Sequence, residues 1–96
     1  MKIKMDEYIE KNKGSIKEDI KTLIAFRSLT ENPRETANAL DFVLKRASEM
    51  GMQTGRTSDG KAGFAEIGEG EKTVGVLVHV DVVGIGDPMK WTYPPF

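Results

Sequence analysis

The stretch from Val74 to Val83 constrains the fold more than any other part of this chain. In a strand, the valines at even positions would share one face, whereas the opposite face would carry Leu77, His79 and Asp81. Apolar residues on both faces are typical of a central strand that other layers cover on both sides. We therefore expect residues 74–83 to form a buried central strand.

A first helix is predicted over residues 3–27. Its apolar stripe has helical spacing and consists of Ile16, Ile20, Leu23, Ile24 and Arg27. The segment "SIKE", residues 15–18, has the pattern of a capping box, so a new helix could begin after Gly14. A continuous helix that tolerates the glycine is an equally good interpretation.

A second helix is predicted from Pro33 onward, because Asn32 is a good N-cap and proline suits the first helical position. Glu35 stands where a capping-box acid belongs, and Gly51 is a natural stop. The apolar face of this helix is expected to contain Ala39, Leu40, Val43, Leu44, Ala47 and Met50.

A β-hairpin is predicted next, with strands over residues 52–58 and 61–67 around the turn dipeptide Asp59-Gly60. The polar segment "GEGEK" would then lead into the strand over residues 74–83. The resulting fold class is α/β, with two N-terminal helices packed on a mixed sheet made of the hairpin and the buried central strand. At 96 residues the chain is one domain at most.

Composition excludes several classes of function. Fourteen basic and fifteen acidic residues leave a net charge of −1, so nothing favours a nucleic acid or an anionic membrane as a partner. The absence of cysteine excludes disulfides and thiolate metal sites. The charged start lacks the apolar core of a secretory signal, which favours a cytoplasmic protein.

Two glycine-rich stretches resemble nucleotide-binding motifs incompletely. In "GIGDPM", Met89 replaces the third glycine of a dinucleotide fingerprint, and Pro88 argues against a helix that would receive a pyrophosphate. In "GEGEKT", Glu71 interrupts the phosphate-loop pattern with a negative charge. We interpret both stretches as turns.

His79, the only histidine, and Asp81 are the residues most capable of chemistry. An imidazole can bind a metal through one nitrogen while a nearby carboxylate accepts a hydrogen bond from the other, which fixes the tautomer. The spacing H-x-D alone is too short to be specific. The alternative is that His79 is a core or rim histidine and Asp81 caps the end of the strand. Likewise, Trp91 and Phe96 are interpreted as packing residues.

The complete run "HVDVVGIGDPMKWTYPPF" resembles the first metal-site signature of a zinc metallopeptidase family. That family contains carboxypeptidase G, aminoacylase, acetylornithine deacetylase and the cytosolic dipeptidases. The matching positions are His79, Asp81, Val82, Val83, Gly86, Asp87, Trp91, Pro95 and Phe96. The preceding "ALDFVLKRASEMG" and "FAEIGEGEKTVGVLVHVDVV" look most like the bacterial dipeptidase branch, which acts on Xaa-His and other short peptides. Val78 and Gly84 depart from the usual pattern, where a small residue and a proline stand.

The resemblance implies that His79 is a zinc ligand and that Asp81 is the catalytic-site carboxylate that orients it. A complete enzyme of this family uses two zinc ions, with cobalt or manganese as alternatives, and a metal-activated water to hydrolyse a peptide bond. Its bridging aspartate, general-base glutamate, further acidic ligands and second histidine would follow Phe96. Residues 1–96 would thus be the N-terminal part of an incomplete phosphorylase/hydrolase-like catalytic domain, inactive alone and separated from the rest by a truncated gene, deliberate truncation or proteolysis.

Two other functions stay open at this point. One is a non-catalytic α/β module in which the H-x-D pattern only contributes packing, and the other is an N-acyl-amino-acid deacylase of the same family. In the isolated 96-residue chain, a strand over residues 74–83 without a following neighbour would leave a sheet edge open. We therefore expect the chain to form a homo-oligomer through that edge, unless residues 82–96 fold back over it.

Overall fold

The chain folds into two helices, a short hairpin and a long irregular C-terminal third. The computed structural model describes residues 2–96, with side chains described from Lys4 onward. Helix α1 is Lys2–Ala25 and helix α2 is Pro33–Glu49; strands β1 and β2 are Gln53–Arg56 and Gly63–Glu66. A single 3-10 turn, Pro88–Lys90, follows near the C-terminus. The elements confirm an α/β chain.

Helix α1 runs through Gly14 without a break, which confirms the continuous helix over the capping-box alternative. It ends at Ala25 rather than at residue 27, because Arg27 has left-handed backbone geometry, with φ of 51°. The predicted apolar stripe is largely uncovered: Ile20 and Ile24 are 50% and 46% exposed. No helix within residues 2–96 combines the length and apolar character needed to cross a membrane.

Helix α2 begins and ends where its sequence signals predict. The Asn32 side chain accepts a hydrogen bond from the amide of Glu35, and Pro33 takes the first helical position. Gly51 follows the last turn with φ of 90°, a conformation that favours glycine. Ala39 and Ala47 are buried on the apolar face, whereas Met50 at its end is exposed.

Only α2 packs on the hairpin, so the prediction that both helices lie on the sheet is wrong. Helix α1 is attached to α2 instead. Asp19 accepts hydrogen bonds from two nitrogens of the Arg46 guanidinium at 3.1 and 3.0 Å, and the rings of Phe26 and Phe42 lie 5.9 Å apart. The apolar side of α1 that faces neither contact is left to solvent.

The hairpin around Asp59-Gly60 is confirmed, with strands shorter than predicted. Its two strands pair in antiparallel register from Gln53–Glu66 to Arg56–Gly63. Glycine is required at Gly63, because a Cβ there would lie 2.9 Å from a methyl group of Leu44 on α2. The helix therefore approaches the hairpin closely enough to contact its backbone.

The predicted central strand over residues 74–83 is wrong. The segment is irregular, and most of its side chains are exposed: Val74 is 89% and Leu77 is 100% accessible. A strand needs neighbouring backbone to receive its hydrogen bonds and covering layers to bury its faces. Within residues 2–96, the segment gains only an isolated parallel bridge between Leu29 and Val82. The sheet is accordingly two-stranded and antiparallel, not mixed.

Because little covers the C-terminal third, the chain is open in shape. Its radius of gyration is 15.9 Å, against about 13 Å for a compact domain of this length. The open strand edge that motivated the predicted homo-oligomer does not exist in residues 74–83. The exposed valines nevertheless leave a large apolar surface, so self-association stays a prediction.

The Asn32 cap should contribute measurably to stability. We expect Asn32→Ala to lower the free energy of unfolding by about 1 kcal/mol, because one amide at the start of α2 loses its acceptor. Urea denaturation followed by circular dichroism measures this change. Asn32→Asp keeps an acceptor and is the matched control; an alanine variant as stable as the wild type would contradict the cap.

The folded hairpin loop should become less stable in acid. The hydroxyl of Thr57 and then the amide of Lys61 donate hydrogen bonds to the Asp59 carboxylate and lower its pKa. The ionised carboxylate therefore stabilises the folded loop above its unfolded pKa of about 3.9, and this contribution is lost as the pH falls through the lower folded pKa.

The measurement is the hairpin's Hα chemical shifts as the pH falls from about 6 to below the unfolded pKa of about 3.9. Asp59→Asn keeps an acceptor that does not titrate, so it should remove the acid-induced loss that is specific to the loop. Identical acid profiles for wild type and Asp59→Asn would contradict the assignment.

Candidate functional site

His79 and Asp81 lie side by side at the end of the irregular segment. The Nδ1 atom of His79 is 3.1 Å from carboxylate oxygen Oδ1 of Asp81 and 2.9 Å from the backbone oxygen of the same residue. The two residues are therefore brought together as the H-x-D spacing suggested, although the segment that carries them is not a strand.

The oxygens around Nδ1 determine which ring nitrogen of His79 is available. Carboxylate and carbonyl oxygens accept hydrogen bonds and do not donate them, so Nδ1 must carry the proton. In the neutral imidazole, Nε2 then has a free lone pair. The His79 side chain is 82% exposed. This tautomer presents Nε2 as a metal ligand or a proton acceptor.

The loop between the two helices holds the backbone on both sides of Asp81. The Ser28 hydroxyl donates to the backbone oxygen of Val80 at 2.7 Å. The backbone oxygen of Ser28 accepts a hydrogen bond from the amide of Val82 at 2.8 Å. The amide of Thr30 in turn donates to the oxygen of Val82 at 3.1 Å. We call this set of bonds, between residues 28–30 and 80–82, the Ser28–Thr30 clamp.

The Asp81 carboxylate is itself stabilised in its ionised form. Its Oδ2 accepts a hydrogen bond from the Thr30 hydroxyl at 2.8 Å, and this bond is the largest cause that lowers the pKa of Asp81. Partial burial opposes the shift, while the nearby His79 adds to it. Asp81 is thus a charged acceptor at neutral pH, as a carboxylate that orients an imidazole should be.

As a metal centre, the arrangement is partial. Within residues 2–96, no three His, Asp or Glu side chains come together to hold an ion. A catalytic zinc ion takes about three protein ligands. The chemistry of the pair fits a single ligand nitrogen with its orienting carboxylate, so any metal bound here would need further ligands.

Of the aromatic residues near the C-terminus, Trp91 makes a local contact and Phe96 makes a long-range one. The indole nitrogen of Trp91 donates to the backbone oxygen of Ile85 at 2.9 Å, and the Arg27 guanidinium lies 5.5 Å from the centre of the Phe96 ring. The 3-10 turn Pro88–Lys90 agrees with the prediction of a turn in this stretch. Its N-terminus is occupied by the Asp87 side chain, which accepts from the amide of Met89.

Sequence reasoning missed Ser28 and Thr30. Ser28 is 2% exposed and is the one buried polar residue among those the structure describes. Both residues lie in the stretch "SLTENP", where the sequence pattern indicates only the N-cap at Asn32 and the helix start at Pro33. Its polar residues gave a weak signal, because serine and threonine in such connections usually cap helices or form turns.

Comparison with known proteins finds relatives that share a name. The chain is 32% identical over 99 aligned residues to a Staphylococcus haemolyticus protein and 37% identical over 90 to a Staphylococcus saprophyticus protein, alignments that cover 94% and 84% of this chain. It is also 51% identical over 51 residues to YtjP of Bacillus subtilis, which covers 50% of this chain. All three are named as candidate dipeptidases.

The aligned part is the smaller share of each relative. The chain spans 20% of the Staphylococcus haemolyticus protein, 19% of the Staphylococcus saprophyticus protein and 11% of YtjP. No family model matches the chain, and no solved structure matches it. The similarity thus links this chain to proteins named as dipeptidases through about a fifth of the length of the two Staphylococcus proteins and about a tenth of YtjP.

Removing the buried hydroxyl should loosen the Ser28–Thr30 clamp. We expect Ser28→Ala to lower the free energy of opening of the clamp by about 1 kcal/mol, because the backbone oxygen of Val80 loses its hydrogen-bond donor. Hydrogen exchange at the amide of Val82 measures this opening. Ser15→Ala on the exposed surface of α1 is the matched control and should leave that amide unchanged. Equal exchange in wild type and Ser28→Ala would show that the hydroxyl does not secure the clamp.

Proposed function

We propose that residues 1–96 are the N-terminal part of the catalytic domain of a metal-dependent dipeptidase, located in the cytoplasm. In this proposal, His79 is a ligand of one of two zinc ions and Asp81 orients its ring; cobalt or manganese could replace zinc. The substrate is a dipeptide or another short peptide. The remaining ligands and the general base belong to parts of the enzyme outside these 96 residues.

The observation that carries the proposal is the His79–Asp81 pair. The 3.1 Å contact from Nδ1 to Oδ1 places the proton on the nitrogen that faces the carboxylate and leaves Nε2 with its lone pair. The similarity to proteins named as dipeptidases supports a peptidase over other uses of such a pair.

The chain's own residues have distinct roles in this scheme. His79 contributes one ligand nitrogen, and Asp81 keeps that nitrogen free of a proton while raising its basicity. The Ser28–Thr30 clamp fixes the backbone that carries both residues. When bound in a pair, metal ions of this kind activate a water molecule and polarise the peptide carbonyl.

A chimera tests the proposal with this chain's own residues. The segment of the Staphylococcus haemolyticus protein that aligns with this chain is replaced by residues 1–96, and the product is assayed with zinc on Xaa-His and other dipeptides. We expect zinc-dependent hydrolysis that His79→Ala abolishes. Asp81→Ala should lower metal affinity or activity by about 10–100-fold, the usual effect of losing such a carboxylate.

Three controls make the outcome decisive. The unaltered relative must itself hydrolyse dipeptides, Asp59→Ala in the distant hairpin loop should leave activity unchanged, and the 96-residue chain alone should be inactive. An active relative with a folded but inactive chimera would contradict the proposal, as would full activity in His79→Ala. Hydrolysis of N-acyl amino acids in place of dipeptides would identify a deacylase instead.

A further inference from the structure

The Asp81 carboxylate is held at both of its oxygens by different parts of the chain. Oδ1 faces His79 at 3.1 Å, and Oδ2 accepts the Thr30 hydroxyl at 2.8 Å. A carboxylate with a partner on only one oxygen can still rotate about its side-chain bonds, whereas two fixed partners define its position. Thr30 lies 51 residues away in sequence, on the loop between α1 and α2.

The Thr30 hydroxyl has a choice of acceptors, and the carboxylate is the stronger one. The same oxygen is 3.3 Å from the backbone oxygen of Val82, which is longer than its 2.8 Å contact to Asp81. A hydroxyl has one proton to donate, and hydrogen bonds to an ionised acceptor are shorter and stronger than those to a neutral one. The hydroxyl of Thr30 therefore donates its hydrogen bond to Asp81, while the backbone amide of Thr30 donates to the backbone oxygen of Val82.

We propose that Thr30 is a positioning residue, which aims the Asp81 carboxylate at His79 through its hydroxyl and thereby sets how well His79 binds a metal. The inference rests on the proposed function, because it assigns Thr30 to the same ligand nitrogen. It separates two contributions of one residue: the amide of Thr30 holds the backbone, and the hydroxyl sets the direction of a side chain.

The first measurement is the side-chain rotamer of Asp81 in the 96-residue chain. Thr30→Val keeps the shape and the amide of Thr30 but removes the hydroxyl, and Thr30→Ser restores a hydroxyl. Three-bond couplings to the Asp81 carboxyl carbon report its χ1 angle. We expect a single rotamer in the wild type and in Thr30→Ser, and averaging between rotamers in Thr30→Val. Amide spectra of α2 and the hairpin, unchanged in all three proteins, confirm that the fold is intact.

The second measurement is zinc binding at His79, followed through the ring protons of the only histidine. Titration with zinc chloride should show Thr30→Val weakening the affinity by up to about 10-fold, the lower end of the effect of losing an orienting carboxylate. In an Asp81→Ala background, Thr30→Val should have no further effect, because its only route to His79 is gone.

The outcomes distinguish this inference from the proposed function. An unchanged Asp81 rotamer in Thr30→Val, or an equal loss of zinc affinity with and without Asp81, would overturn the positioning role of Thr30. An inactive chimera would overturn the proposed dipeptidase function while leaving the rotamer result intact. Rescue by Thr30→Ser of both the rotamer and the zinc affinity is the result that the inference requires.

Discussion

The Ser28–Thr30 clamp is the contact on which the candidate site depends. It joins the loop between the two helices to a segment more than fifty residues later, and it fixes the backbone immediately before and after Asp81. Elsewhere, the contacts of the C-terminal third are mostly local, such as the 3-10 turn and the Trp91 hydrogen bond. Together with the hydrogen bond from the Thr30 hydroxyl to Asp81, the clamp holds His79 and Asp81 in a defined place relative to the helices.

The rest of the fold is a small unit that supplies one half of the clamp. Helix α2 packs on the hairpin at Gly63, and the bond between Asp19 and Arg46 attaches α1 to α2. The short connection from Phe26 to Asn32 is thereby held at both ends. Ser28 is buried within it, so its hydroxyl and backbone oxygen have fixed positions from which to bind the later segment. Helix packing thus determines the geometry of the site indirectly.

Local sequence signals predicted the elements that depend on local contacts. The cap at Asn32, the stop at Gly51 and the turn at Asp59-Gly60 all act through neighbours a few residues away, and the structure confirms each of them. The strand over residues 74–83 failed for the opposite reason. Its valines give it a high preference for a sheet, but pairing requires partner strands that residues 2–96 do not provide.

The same distinction between local and long-range contacts separates the predicted part of the candidate site from the part that was missed. The proximity of His79 and Asp81 follows from their spacing and was predicted. The contact of Thr30 with Asp81 spans 51 positions, and no periodicity or spacing in a single sequence indicates such a pair. Only the folded loop shows that Ser28 and Thr30 bind a distant backbone and carboxylate, while Asn32 of the same stretch caps α2.

The exposed valines of residues 74–78 have a consequence for the behaviour of the chain in concentrated solution. The segment "VGVLV" combines high strand preference with no charge and no proline, which is the signature of sequences that stack into cross-β fibrils. Charged residues that flank such a segment oppose stacking, since each added chain brings like charges together. Lys72 stands before the segment, and Asp81 stands after it, held in its ionised form. The carboxylate that contacts His79 therefore also limits how far an apolar, aggregation-prone stretch can extend.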